Sequence, residues 1–136
     1  MRTKILVCGS RTWSDSDLIA WHLQALPKGS IVVEGGCSGA DRIAAEVASD
    51  LLLEVREYPA DWQRFGASAG PRRNQQMLDL EHPDKDGLRI DRALAFHDDP
   101  MLGRGTLDMV RRLVGAGIGG GVVSHRGLRL FSDIPF

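Results

Sequence analysis

The sequence predicts a three-layer α/β fold, doubly wound around a mainly parallel five-stranded sheet. Three observations predict it. Short β-branched and apolar runs alternate along the chain with stretches of helical periodicity. The connections between runs are long enough to hold a crossover helix, as parallel neighbours require. Residues with binding chemistry fall directly after the runs, and in an open parallel sheet those strand ends share one rim.

The first strand is expected at Lys4 to Cys8, where Ile5-Leu6-Val7 leads into Gly9-Ser10-Arg11-Thr12-Trp13. Ser14-Asp15-Ser16 supplies helix-start residues, and Leu18, Ile19, His22, Leu23 and Leu26 form the stripe of the helix that follows. His22 reads as a histidine at the edge of the core. Pro27 and Gly29 end that helix. Ile31-Val32-Val33 is the composition of a strand covered on both faces. It runs into Glu34-Gly35-Gly36-Cys37-Ser38-Gly39-Ala40-Asp41, with Ser38 as candidate N-cap, and then a helix carrying Ile43, Ala44, Val47, Ala48 and Leu51. Glu54 to Tyr58 alternates like a strand near a sheet edge. Phe65 to Pro71 reads as a flexible connection, and Arg72 to Leu78 as a helix with Pro71 in its first turn. Glu81 to Arg89 reads as a surface loop. A fourth strand is expected at Ile90 to Phe96. It is followed by His97-Asp98-Asp99-Pro100 and by Gly103-Arg104-Gly105-Thr106, which opens a helix with Leu107, Val110, Leu113 and Val114. A weak fifth strand lies within Ile118 to Ser124. The pattern is that of a Rossmann-like domain.

With 136 residues, 43% hydrophobic and 26% charged, the chain has the make-up of one domain, expected over 1–136 with its core at about 4–124 and a short tail at 125–136. A net charge of -1 argues against electrostatic wrapping of nucleic acid. No leader or long apolar run is seen, so a cytoplasmic, membrane-free setting with reduced Cys8 and Cys37 is expected. The histidines and cysteines have no zinc spacing, and neither a metal nor a cofactor is called for.

The chemistry gathers on four loops that each follow a strand, Gly9-Ser10-Arg11, Gly35 to Asp41, Asp61-Trp62 and His97 to Thr106, and on the helix that carries Arg73. Gly35, Gly36 and Gly39 leave backbone N–H groups open to a ligand and lead into a helix N-terminus, an arrangement that attracts phosphate. Gly103, Gly105 and Thr106 do the same before another helix. Gly9 and Ser10 offer small groups and a hydroxyl. Arg11 suits a forked phosphate contact as well as it suits solvent. Arg73 and Asn74 share a face with Met77. Asp41 is placed to meet ribose or base, and Asp41, Asp98 and Asp99 are the candidate acids should there be catalysis. The first glycine loop has neither the Lys-Ser/Thr ending of a P-loop nor the G-x-G-x-x-G spacing of a dinucleotide fold.

These motifs, with Pro59-Ala60-Asp61-Trp62, Ala69-Gly70-Pro71-Arg72-Arg73-Asn74 and Gly105-Thr106, resemble the YspA/YpsA-related branch of the SLOG superfamily over about residues 4 to 124. The superfamily also holds the Smf/DprA proteins and the LOG phosphoribohydrolases. The resemblance implies a Rossmann-like sheet and a nucleotide or nucleotide-derived ligand, bound by a sensor or processing protein. Against the LOG pattern Arg-Lys-x-x-Met stands Arg73-Asn74-Gln75-Gln76-Met77. Against Pro-Gly-Gly-x-Gly-Thr-x-x-Glu, the Gly-x-Gly-Thr of Gly103 to Thr106 is retained, while the Glu position falls on Met109. A LOG-like N-glycosidic hydrolase would therefore need another acid. A DNA-associated module like DprA is a further alternative. The LOG likeness also implies a homodimer, for which Leu128, Leu130, Phe131, Ile134 and Phe136 offer apolar contacts.

Overall fold

Ile5, Leu6 and Val7 are fully buried because β1 (Lys4–Gly9) is the central strand, covered on both faces. In the computed structural model, which describes residues 2–82 and 88–136, β1 is flanked by β2 (Ile31–Glu34) and β4 (Arg92–Phe96). The sheet order is β3-β2-β1-β4-β5-β6, with β3 at Glu54–Glu57, β5 at Gly120–Ser124 and β6 at Gly127–Leu130. Every pair is parallel except β5 with β6.

Alternate residues of β1 feed two cores. Ile5 and Val7 meet Ile19 and Leu23 of α1 (Ser16–Leu23) and Ala40, Ala44 and Ala48 of α2 (Ala40–Asp50). Leu6 and Cys8 meet Met77 and Leu78 of α4 (Ala69–Glu81) and Met109, Val110 and Leu113 of α5 (Gly103–Gly115). The fold is thus the expected doubly wound α/β sandwich. His22 lies at the core edge against Phe96, as its place on the stripe predicts.

Three local expectations are corrected. Among the described residues the sheet has six strands rather than five. β6 is four exposed residues hairpinned onto β5 through His125 and Arg126, and that turn lacks the Asn-Gly or Asp-Gly signature of a two-residue hairpin. The same tail buries Phe131 and packs Ile134 on the α4–α5 core, leaving Leu128, Leu130 and Phe136 exposed. Second, Phe65 to Pro71 is mostly helical. Asp61 caps α3 (Trp62–Phe65) by accepting from Arg64 N–H, a 3-10 turn follows over Gly66–Ser68, and α4 begins at Ala69. Third, Glu81 is buried. Its carboxylate takes Lys4 at 2.9 Å and Arg56 at 2.8 Å and also accepts from the Tyr58 hydroxyl. A fully buried Lys4 beside it supplies the compensation that a buried carboxylate needs. The rest of the expected Glu81–Arg89 loop lies largely outside the described residues.

Among the described residues no helix is long and apolar enough to cross a membrane.

Candidate functional site

The strand order reverses between β1 and β4, the point where an open α/β sheet leaves a crevice at its strand ends. There the structure has a cavity of about 550 Å³, the size of a small-molecule site. Its walls are the loop after β1, the first turn of α2, the Trp62–Met77 segment, and the loop from β4 into α5. Gly9, Ser10, Arg11, Asp41, Arg73, Asn74, Gly103, Gly105 and Thr106 all line it. Gly35, Gly36, Ser38 and Gly39 do not.

The β2–α2 turn explains that split. The Asp41 carboxylate folds back and one of its oxygens accepts from Gly35 N–H at 3.1 Å and Cys37 N–H at 3.3 Å. Gly36 N–H donates to Glu34 at 2.6 Å. Three of the amides expected to hold phosphate are therefore already satisfied inside the chain. Ser38 is not the N-cap: its hydroxyl donates to Arg11 O at 3.1 Å, and Gly39 takes the cap position without a side-chain bond. Gly39 is needed for close approach. Its φ is +78°, and a Cβ there would run into the Ser10 and Arg11 backbone.

Burial pushes the Asp41 carboxyl up to about 6, against the pull of its two amide donors and of the Arg73 and Arg11 charges. Glu34, at 0% exposure, goes further. Burial, together with the Glu57 and Asp41 carboxylates nearby, pushes it up to about 8 despite the Gly36 bond. Its second oxygen has no hydrogen-bond partner among the described residues. Glu34 therefore holds its proton at neutral pH.

Arg73 is buried on the cavity wall. Its guanidinium donates to Gly35 O, to Asn74 Oδ1 at 2.9 Å, to Tyr58 O at 3.5 Å and toward Cys37 Sγ at 3.5 Å. These partners are neutral. Gly35 has no side chain because a Cβ would meet that guanidinium. Asn74 is fixed in turn: its amide donates to Asp108 at 2.9 Å, and Arg112 holds the same carboxylate at 2.8 Å. Burial alone would raise Asp108, but the bonds from Arg112 and Asn74 outweigh it and hold it below the usual carboxylate range.

The β4–α5 turn is built differently. Leu102 stands at the N-cap in the left-handed region, φ 67°, and no side chain among the described residues caps the helix. Thr106 is buried on the cavity wall, and among the described residues neither its hydroxyl nor the Arg104 guanidinium has a hydrogen-bond or ion-pair partner. His97, also on the wall, accepts from Asp99 N–H through Nδ1 at 3.1 Å. Burial lowers its pKa even with Asp99 and Asp98 nearby. A neutral ring accepting at Nδ1 carries its proton on Nε2, and Nε2 lies against Gly103.

Asp98 and Asp99 do not line this cavity. Asp98 is bound to His125, and Asp99 accepts from Met101 N–H. Of the three candidate acids, only Asp41 faces it. Met109, at the position of the LOG glutamate, is buried in the wall. Trp62 is half-exposed at the mouth, with Arg11 5.5 Å over its ring. Trp13 is a core residue packed edge-on to Phe96. His97, Arg104 and Glu34 are the residues that sequence reasoning did not single out. Arg104 has a sequence signal, a cation between two glycines at a helix start. So has Glu34, a charge continuing a buried β-branched run.

Residues 3–65 match the family model described as the YspA, cpYpsA-related SLOG family. That segment runs from β1 through α3 and holds the first three rim loops. The Gene 61 protein of Mycobacterium phage D29 is 37% identical over 84 residues, covering 55% of this chain and 67% of the phage protein. By these two matches and the fold they accompany, the chain belongs to the YspA/cpYpsA-related SLOG family.

Proposed function

We propose that this protein binds a nucleotide or nucleotide-derived ligand in the β1/β4 crevice, with the phosphate on the first turn of α5. The observation that carries this reading is the uncapped start of α5. Its first turn lines the cavity, with a Thr106 hydroxyl and an Arg104 guanidinium that have no partner among the described residues, and such an end favours an anion. His97 Nε2–H adds a donor, and Arg11 adds charge at the mouth. Family membership supports a nucleotide-related ligand of some kind. The β2–α2 turn offers the opposite chemistry. Asp41 presents an acceptor beside Arg73 and Asn74, which suits ribose hydroxyls or the amino edge of a base. Trp62 offers a half-exposed ring for stacking.

Thermal shift with nucleoside monophosphates, the matching nucleosides, inorganic phosphate, cyclic nucleotides, NAD and ADP-ribose tests this. A ligand at 100 times its Kd adds about 2.7 kcal/mol, a shift of several degrees in a domain of this size. The expected result is a shift with a monophosphate and none with its nucleoside. Equal shifts with both would remove the phosphate from α5.

A second reading, N-glycosidic hydrolysis, is favoured by one observation: a buried carboxyl raised to about 6 facing the cavity, Asp41. Mass spectrometry of the same mixtures decides it. Free base and a sugar phosphate, formed at a rate lost in Asp41→Asn, would make the protein an enzyme. Intact ligand would leave it a binding protein or sensor.

A further inference from the structure

We propose that His125 is a positioning residue whose imidazolium clasps the β1–α1 and β4–α5 loops, two of the walls of the crevice, and releases them on deprotonation. The ring sits on the β5–β6 turn, outside the cavity. Its Nε2 lies 2.8 Å from Asp15 Oδ2, and its Nδ1 lies 2.8 Å from Asp98 Oδ2. The His125 backbone N–H donates to Asp98 Oδ1 at 2.8 Å. One face of the ring stacks on Trp13, with centroids 4.9 Å apart and planes 12° apart.

Both nitrogens face carboxylates. A neutral imidazole has one N–H and would turn a lone pair toward one of them, so only the imidazolium satisfies both. The two carboxylates belong to different walls, the loops that follow the adjacent strands β1 and β4. Asp15 caps α1 by accepting from Leu18 N–H at 3.1 Å, and its backbone carbonyl takes the Trp13 indole at 2.9 Å. That ties it to the loop carrying Ser10 and Arg11. Asp98 follows His97, which lines the cavity.

The groups facing the ring are Asp15 from the α1 cap, Asp98 from the β4–α5 loop and the uncharged Trp13. Arg126 neighbours it on its own turn, and His97 is the other titrating group whose charge reaches Asp98. Bonds to Asp15 and then Asp98 raise the His125 pKa, and both carboxylates are lowered in return. The clasp is therefore held below the raised histidine pKa and lost as pH rises through it.

Amide hydrogen exchange on the full chain, corrected for intrinsic rates, is the test. The reporters are Thr12 and Trp13 in the β1–α1 loop and Met101 and Leu102 in the β4–α5 loop, all hydrogen-bonded. Exposed ion pairs are weak, so protection should fall about two- to five-fold across the His125 titration. In His125→Gln it should be low and flat with pH. NMR should place the wild-type imidazole above 6.5, and Asp98→Asn should lower it; that variant serves if His125→Gln does not fold. The same pH step in His125→Gln, or an unshifted His125, would overturn the clasp. With AMP as probe, a matching step in Kd is expected, which rests on the nucleotide reading. Failure of AMP to bind would count against that reading and leave the exchange result standing.

Discussion

The β2–α2 turn and the β4–α5 turn have the same outline: a buried parallel strand, a glycine-rich turn and a helix N-terminus. They differ in who uses the amides. In the first, Asp41 at the second helical position takes Gly35 and Cys37, and Glu34 takes Gly36. In the second, Arg104 holds the corresponding position, no side chain among the described residues caps the helix, and the turn opens on the cavity. A glycine-rich turn is thus only half of an anion site. The other half is whether the helix start brings its own carboxylate.

The comparison can be broken at Arg104. Arg104→Asp places in α5 the acid that α2 carries, at a position where acids suit a helix start. Affinity for inorganic phosphate and for nucleoside monophosphates should fall by about 100-fold, close to 2.7 kcal/mol, with the fold intact by circular dichroism. Unchanged affinity would take the phosphate away from α5.

Arg73 sharpens the other side. Its partners are carbonyls, an amide oxygen and a thiol, so Arg73→Ala removes the buried bonds to Gly35 O and Asn74 Oδ1. Urea denaturation should show a loss of about 2 kcal/mol. Loss of binding in this variant must therefore be read with its stability in hand.

Glu34 gives a pH signature. Its folded pKa of about 8 against 4.5 means that the folded chain binds more protons than the unfolded one between those values. Stability therefore falls as pH rises through that window. Glu34→Gln keeps an oxygen for Gly36 and removes the ionisation. Its gain over wild type should grow by about 1–2 kcal/mol from pH 5 to pH 8, measured by denaturation at both. A gain that does not change with pH would mean Glu34 is not the titrating group.

The smallest effect is at Asp41. Both amides use one carboxylate oxygen, so Asp41→Asn can keep the turn while losing the charge. Calorimetry should show about tenfold weaker binding of a nucleoside monophosphate, near 1.4 kcal/mol, and no loss for inorganic phosphate. Equal losses would place phosphate at Asp41 instead.

Much of this fold is legible in the sequence because its strands are buried on both faces. Ile5-Leu6-Val7 and Ile31-Val32-Val33 announce themselves, and so do the stripes of α1 and α5. β6 is not legible, since four exposed residues held by one neighbour carry no burial pattern. The α3–α4 segment is hidden by Gly66, Gly70 and Pro71, residues that read as loop although Pro71 sits harmlessly in a first helical turn. The rim itself is legible, because strand ends in a parallel sheet share a side. What the sequence cannot show is direction. Asp41 reads as a ligand contact, yet its oxygen turns back into its own loop. Asp98 reads as a candidate acid, yet it meets His125, a residue 27 positions away. Only the packed chain decides which polar groups satisfy one another and which are left for a ligand.

The most direct test is a titration with inorganic phosphate followed by amide chemical shifts. Gly103, Arg104, Gly105 and Thr106 should move most, while Gly35, Gly36 and Cys37 barely move because their protons are already bonded to Asp41 and Glu34. Shifts concentrated at Gly35 to Cys37 would mean that phosphate displaces the internal carboxylates, and would contradict the division between the two turns.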